Sequence, residues 1–422
     1  MKKILFDIAF RNVRRRKLQT TLISIMIIFT TFAIFAMVGM QSGAFKMLED
    51  GYTKMFNGDI QIRNIDYTDE DAYKVLISDV DVKSVEKEIK NYKNTEVNYT
   101  KRNMGFALAE AKNKNYSFLL VGIDPDTEKN VSQISQSMVK GNFLTAQDVN
   151  SVIIGEDLAD FLKVSIGDEI VMMMMDIYDS FIIEPFIVTG IFKVGDMMLD
   201  KNYAFVNRNF FVNNLTYGDN FTNITLKLKD SSYRKDLLNN LKDISNKENL
   251  TTKNQKIEIL PWDEVLLFLK QVMNFNFIIS NVYYFVFILL VAFTVLNSMV
   301  LSTIKRMPEF GILSAVGLNN SQFKWILIYE NLILCGLSVI IGSLLGMAFV
   351  YYFSIHGVPL PPPPEDAPLK FGSGDSRKLY PDPTSIDLIY GPIVIFISCF
   401  FSIIPSVIRL NRSNPVQSLT SI

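Results

Sequence analysis

The run "LQTTLISIMIIFTTFAIFAMVGMQSGAF" (Leu18–Phe45) contains no Asp, Glu, Lys or Arg. A helix needs about 20 mainly apolar residues to cross the hydrocarbon core of a bilayer, and this run supplies them. A cleaved signal peptide is the competing reading, because the segment before it is basic. Signal h-regions span only about 7–15 residues, however, and no A-x-A site follows here. The run therefore reads as a retained transmembrane helix. Further uncharged runs extend over Gln271–Ile304, Asn331–Pro364 and Leu388–Ile408. The expected spans are 19–40, 277–302, 326–352 and 388–408, so the expected class is a four-helix membrane protein.

The rest of the composition agrees. Of the 422 residues, 49% are hydrophobic, and the net charge of −1 leaves no global nucleic-acid footprint. The single histidine, His356, excludes a His-based metal cluster and argues against a Ser-His-Asp triad. The two cysteines, Cys335 and Cys399, both fall in apolar runs, so no disulfide framework supports the polar region. No catalytic, cofactor-binding or metal-ligating set emerges, and the chain reads as a non-enzyme.

Lys and Arg set the orientation. Residues 1–17, 303–325 and 409–422 together carry twelve basic and two acidic residues. Residues 353–387 carry three basic and five acidic. Both termini are therefore expected in the cytoplasm, with 46–270 and 353–387 outside. The expected order is an amphipathic elbow (1–18), span one (19–40), a large outside domain (41–276), span two (277–302) and a cytoplasmic loop (303–325). Span three (326–352), an outside loop (353–387), span four (388–408) and a cytoplasmic tail (409–422) complete it.

The outside domain reads as α+β. "GDIQIRNI" (Gly58–Ile65) alternates as a half-buried strand does, and "VKSVEKEIKNY" (Val82–Tyr92) has helical spacing. "NYSFLLVGID" (Asn115–Asp124) and "FIIEPFIVTGIF" (Phe181–Phe192) are strand-like. "SVIIGEDLADFLKVSIGDEI" (Ser151–Ile170) reads strand, turn, short helix, turn, strand. Two subregions are expected, since 115–220 is strand-dense and its flanks are mixed. The run Met172–Met175 could hold Cu(I) through thioethers. With no Cys or His nearby, soft packing within a strand is the better reading. In the outside loop, Pro361, Pro362, Pro363 and Pro364 impose a stiff polyproline II segment, either a spacer or a docking surface.

"STIKRMPEFGILSAVGLNNSQF" (Ser302–Phe323) is the most informative cytoplasmic stretch. Pro308 and Glu309 suit a helix start. Phe310, Leu313, Ala315 and Val316 give a small apolar face, and Gly317 ends the helix. Such a face needs membrane or a protein partner to bury it. In span three, Ser338, Gly342 and Gly346 recur every fourth residue and permit close helix approach. Glu330, about one turn inside the cytoplasmic end, is expected to snorkel or cap.

These residues resemble a family. The order of basic elbow, span, large outside domain and three further spans is that of the FtsX-like permeases of the MacB/LolC/LolE type. Arg306, Glu309, Gly311, Ile312, Leu313, Ala315 and Gly317 match the family's R-x-x-E-[IF]-G-I-L-x-A-x-G motif, and Pro405, Pro415 and Leu419 match its closing motif. The outside segments Gly122–Leu144, Val152–Ile170 and Val188–Val206, with the proline-rich loop, look most like the lipoprotein-releasing LolC/LolE branch.

The resemblance implies a permease subunit of the inner membrane, with ATP bound and hydrolysed by a separate ABC ATPase. No G-x-x-x-x-G-K-[ST] loop occurs in the sequence. It also implies that Arg306, Pro308, Glu309, Gly311, Ile312, Leu313, Ala315 and Gly317 form a coupling helix docked in that ATPase. ATP-driven closure would move the outside domain by mechanotransmission. A second permease copy or paralogue, a lipoprotein cargo, a periplasmic lipoprotein carrier and membrane lipid are the expected partners, with no nucleic acid. MacB-like export of peptides or drugs, and FtsX-like control of cell-wall hydrolases, are the alternatives.

Overall fold

The computed structural model describes residues 2–68, 71–195, 197–247, 257–306, 320–360, 378–382, 385–405 and 407–408. The chain opens with α1 (Lys2–Arg15) and α2 (Lys17–Tyr52), followed by β1 (Ile60–Asn64), α3 (Asp79–Asn91), β2 (Val97–Ala111), β3 (Lys114–Ile123) and α4 (Pro125–Glu128). Next come β4 (Met138–Gly141), β5 (Ser151–Gly155), α5 (Glu156–Leu162), β6 (Glu169–Met175), β7 (Phe181–Phe192), α6 (Met197–Asn202), β8 (Tyr203–Asn207) and α7 (Arg208–Asn214). After β9 (Asn223–Leu228), α8 (Arg234–Lys247), β10 (Ile257–Pro261) and α9 (Trp262–Val265), the chain enters α10 (Leu267–Lys305) and α11 (Asn320–His356). The strands β11 (Val358–Pro359) and β12 (Lys378–Leu379) and the helix α12 (Ser385–Phe401) close the described part.

The chain divides into two units. One comprises Met1–Met47, Val272–Pro359 and Lys378–Ile422, and the other Leu48–Gln271 and Leu360–Arg377. Among the described residues, three helices are long and apolar enough to cross a membrane: Lys17–Asn57, Leu267–Lys305 and Ser321–His356. The fourth expected span falls on α12, whose apolar part, Gly391–Phe401, is shorter than those three.

Within the first unit the helices meet through a narrow apolar seam. Ile23, Ile27 and Ile34 of α2, Val291, Val295 and Met299 of α10, Leu334 and Val339 of α11 and Ile395 of α12 are buried together. Large apolar residues such as Phe29, Phe293 and Leu344 face outward, as they must where the solvent is lipid. One face of α1 buries Leu5 and Ala9 against Phe323, Ile326 and Leu327 of α11. Ile4 and Phe10 remain exposed. The elbow thus packs on protein with one face as well as offering an apolar face to its surroundings.

The second unit contains two layered parts sharing the long strand β2. Strands pair in the order β2, β3, β8, β5, β7 and β6, and β6 returns to β2, which closes a six-stranded barrel. Its interior holds Phe118, Leu120, Val152, Ile154, Met172, Phe186 and Val206. The β2–β3 connection is a two-residue turn at Lys112 and Asn113, both at positive φ, which suits the right-handed twist of a hairpin. The first half of β2 belongs to a second sheet, ordered β10, β1, β9, β2. Helices α3 and α8 cover it, with Val82, Val85, Leu237 and Leu241 buried against Ile60, Ile62 and Ile224. The α+β expectation and the two subregions agree with this arrangement. The strand around Gly58–Ile65 differs in one respect: β1 is buried on both faces. Gln61 is accommodated there by donating to the Asn57 carbonyl at 2.9 Å.

A buried ion pair sits where β2 passes between the two parts. Arg102 and Glu128 are both inaccessible to solvent. Arg102 donates to Glu128 through Nε at 3.0 Å and Nη2 at 2.6 Å. Its Nη1 donates to the Phe56 carbonyl at 2.7 Å, and the guanidinium lies 4.0 Å over the Phe56 ring.

Candidate functional site

At the end of the helical unit that carries α1, polar side chains bridge four helices. Arg306 immediately follows α10, and its Nη1 lies 2.8 Å from both carboxylate oxygens of Glu330 on α11. Both residues are buried, at 5% and 7% exposure. Arg16, between α1 and α2, donates to Ser302 Oγ of α10. Gln19 of α2 donates to Ser298 Oγ at 2.9 Å. Asn331 donates to the Cys399 carbonyl of α12 at 2.9 Å and accepts from the Cys335 thiol at 3.2 Å. Glu330 therefore neither snorkels nor caps. Burial beside an arginine fixed by the end of α10 gives it a partner at no cost of reaching for water.

Of the expected coupling residues, Arg306 is thus placed against α11. Pro308, Glu309, Gly311, Ile312, Leu313, Ala315 and Gly317 lie outside the described residues, as do Pro361, Pro362, Pro363 and Pro364.

The small-residue stripe of α11 meets α2. A Cβ on Gly342 would come 2.7 Å from Thr31 Cβ and 2.8 Å from the Ile28 carbonyl oxygen. One on Gly346 would lie 2.5 Å from Phe35 Cβ. Both distances are shorter than van der Waals contact, so the helix approach needs glycine at both positions. Ser338, one turn earlier, is buried at 1% exposure.

Towards the other end of the same helices lies a cavity of about 400 Å³ between α2, α10 and α12. Ile34, Val38, Phe45, Phe277 and Ile288 give it apolar walls, and Gln41, Asn281 and Tyr284 add polar groups. Tyr284 donates to Gln41 Oε1 at 2.9 Å. The Gln41 amide nitrogen is buried without a hydrogen-bond partner among the described residues. A buried donor left unmade costs about 1–3 kcal/mol, so a ligand acceptor reaching it would gain that back. Sequence reading passed over Gln19, Gln41 and Asn331. Polar side chains inside long uncharged runs were the available signal.

In the second unit, the outside of the barrel carries an apolar face. Phe106 and Leu108 of β2, Val171 of β6, and Phe181, Ile183 and Ile187 of β7 are all exposed. The register sets Leu108 opposite Met173 and Met173 opposite Ile183, so these residues form one continuous patch. The methionine run splits across the wall: Met172 and Met174 point into the core, and Met173 and Met175 lie on the outer face. It is a packing feature of an amphipathic strand.

Residues 20–244 match the model of the MacB-like periplasmic core domain, and residues 281–415 match that of the FtsX-like permease C-terminal region. The chain belongs to the FtsX-like, MacB-type permease family. It is an ABC-transporter permease of that type, with a periplasmic core domain of mixed α and β structure. Permeases of this family are subunits that work with an ABC ATPase and are generally non-catalytic. Among solved structures, the periplasmic region of MacB from Actinobacillus actinomycetemcomitans is similar at 18% identity, over 53% of this chain and 98% of that one, with a TM-score of 0.34. The extracellular domain of the noncanonic ABC-type transporter YknZ from Gram-positive bacteria is similar at 14% identity, over 48% and 98%, with a TM-score of 0.34. No curated protein matches the sequence.

Proposed function

We propose that this FtsX-like permease releases lipoproteins from the inner membrane to a periplasmic carrier, driven by ATP hydrolysis in a separate subunit. The observation that carries the reading is the apolar cavity between α2, α10 and α12, into which the Gln41 amide nitrogen comes with no hydrogen-bond partner among the described residues. Exposing an acyl chain to water costs roughly 0.8 kcal/mol per CH₂, so one long chain costs about 11–13 kcal/mol. A lipoprotein therefore leaves a bilayer only from one apolar environment to another. The cavity offers the first such environment. Its amide donor suits the carbonyl of an ester or amide that joins acyl chains to a polar head. The apolar outer face of the barrel suits the docking of a carrier.

In this reading four spans cross the inner membrane, with both termini in the cytoplasm. The segment from Pro308 to Gly317 enters the ATPase, and two permease copies or paralogues complete the transporter. Closure of the ATPase is transmitted through spans one and two, α2 and α10, to the periplasmic domain, which delivers the cargo without a pore through the bilayer.

Two measurements test this. Depletion of the permease should leave outer-membrane lipoproteins in the inner membrane. Normal sorting, with altered export of peptides or drugs, sinks the lipoprotein reading in favour of MacB-like export. In the reconstituted complex, Val38→Trp should fill the cavity and block release while ATPase binding persists. Unchanged release would remove the cavity from the path. Orientation is tested by thiol labelling: Ser232→Cys should react with an impermeant reagent in spheroplasts, and Ser321→Cys should not.

A further inference from the structure

The first half of β2 has an unfilled edge. Its carbonyls at Glu96 and Arg102 accept from Lys229 and Thr222 on the β9 side. Backbone groups alternate in direction along an antiparallel strand, so residues 96, 98, 100 and 102 face β9. The N–H and C=O groups of Val97, Tyr99 and Lys101 face the other way. On that side β3 pairs with β2 only as far as Asn103 opposite Gly122, after which the chain leaves β3 at Ile123 for α4. No backbone or side-chain partner meets the peptide groups of Val97, Tyr99 and Lys101 among the described residues.

Beside this edge is a cavity of about 370 Å³, lined by residues 97–101 of β2 and by Asp124, Thr127, Asn130 and Arg208, with Thr127 Oγ1 2.9 Å from Thr100 Oγ1. The charges around it are unequally matched. Lys101 is held by Asp79 and Glu86, each at 2.6 Å. Asp124 caps α4, its Oδ1 accepting from the Asp126 N–H at 3.0 Å. Arg208 donates only to neutral acceptors: Asn103 Oδ1 at 2.8 Å and the carbonyls of Asp219 and Asn220 at 3.3 Å. Among the described residues no carboxylate comes within ion-pair distance of it, and Asp79, Asp124 and Asp219 act on it only through space.

We propose that this edge binds an extended polypeptide segment of a partner protein by strand addition, antiparallel to β2 and in line with β3, with an acidic residue of that segment meeting Arg208. Main-chain bonds to residues 97, 99 and 101 supply the affinity, as in other cases of strand addition to an open sheet edge. The Arg208 guanidinium supplies the choice, since a carboxylate can meet its planar fork with two parallel bonds between opposite charges, which a neutral amide cannot. The site lies wholly within the periplasmic core domain and does not depend on what cargo the transporter moves.

The probe is a fluorescent ten-residue peptide of alternating Thr and Val with one central Glu, titrated against the full-length permease in lipid nanodiscs. Saturable binding is expected, and methylating the four central amide nitrogens should weaken it at least about tenfold. Tyr99→Pro should weaken it similarly, because proline removes the N–H on the open edge and leaves the β9 ladder intact. Tyr99→Ala should retain binding. Arg208→Gln, or Glu→Gln in the peptide, should cost the same factor, and combining them should cost no more. Absence of saturable binding, or equal binding of the N-methylated peptide, overturns the proposal even if Tyr99→Pro fails to fold. Additive losses from the two Gln changes would overturn the role of Arg208.

Discussion

Arg306 Nη1 stands 2.8 Å from each carboxylate oxygen of Glu330, and the pair joins the end of α10 to α11 in a buried setting. Removing one member of such a pair leaves the other charge buried and unmatched, at a cost of about 3–5 kcal/mol. Glu330→Gln and Arg306→Gln should each lower the melting temperature of the purified permease markedly. Reversing the pair, as Arg306→Glu with Glu330→Arg, should recover much of the loss. Recovery is the informative outcome, because a residue that merely fills space would not be rescued by exchange of charges. Two single variants that melt like the wild type would show that the pair contributes no stability.

Glycine at 342 and 346 permits α11 to touch α2. The obstacle facing Gly342 is partly main chain, the Ile28 carbonyl oxygen at 2.8 Å, which cannot swing aside. Gly342→Val should force the helices apart and cost about 1–3 kcal/mol, the usual penalty of overpacking. Gly336, whose nearest added contact would be 3.8 Å away, is the control and should tolerate alanine. Differential scanning of the detergent-solubilised protein compares the three chains. Equal melting of the Gly342 and Gly336 variants would remove the close approach.

How far the sequence discloses this structure depends on how local each feature is. The strand Phe181–Phe192 is legible to its ends because β-branched and aromatic residues fill it, and α3 is legible from its 3.6-residue spacing. The closure of β6 onto β2 is not, because Leu108 and Met173 are far apart in sequence and nothing local specifies their pairing. Glu330 stands out as a lone acid in an apolar helix, yet its partner lies 24 residues away in sequence, and local spacing gives no sign of it. The glycine stripe is visible as a four-residue repeat, but only the fold shows that Thr31 and Phe35 are what it receives. Gln41 gave almost no signal, since an amide near the end of an apolar run usually reaches for water.

Acid should loosen the turn that carries Asp168. The Lys112 ammonium, 2.6 Å away, and the Ser165 N–H both stabilise its carboxylate and hold its pKa below the ordinary range. A depressed folded-state pKa gives stability that is present above the unfolded value of about 3.9 and lost as pH falls through the folded one. Asp168→Asn should therefore melt below wild type at pH 7, and the gap should close as pH drops beneath about 4. The pair is exposed, so the gap is small. A gap that stays constant down to acid pH would assign the effect to something other than this charge.

Breaking the pair of Arg102 and Glu128 should cost the periplasmic domain more than breaking any surface pair. Both are fully buried, and Arg102 also donates through Nη1 to the Phe56 carbonyl. Glu128→Ala leaves a buried guanidinium with one neutral acceptor and an adjacent cavity, so a loss of about 3–5 kcal/mol is expected. The contrast is Arg102→Met with Glu128→Leu, which removes both charges and keeps much of the volume. Buried pairs replaced in this way are often neutral or better, because the desolvation penalty disappears along with the attraction. Trp262, buried in the same domain, reports urea unfolding by its fluorescence in a Trp325→Phe background. The double variant should unfold at higher urea than Glu128→Ala. If the double variant is the less stable of the two, the pair gives net stability beyond avoiding an orphaned charge, and its hydrogen bonds to Phe56 and Glu128 must be worth more than their burial costs.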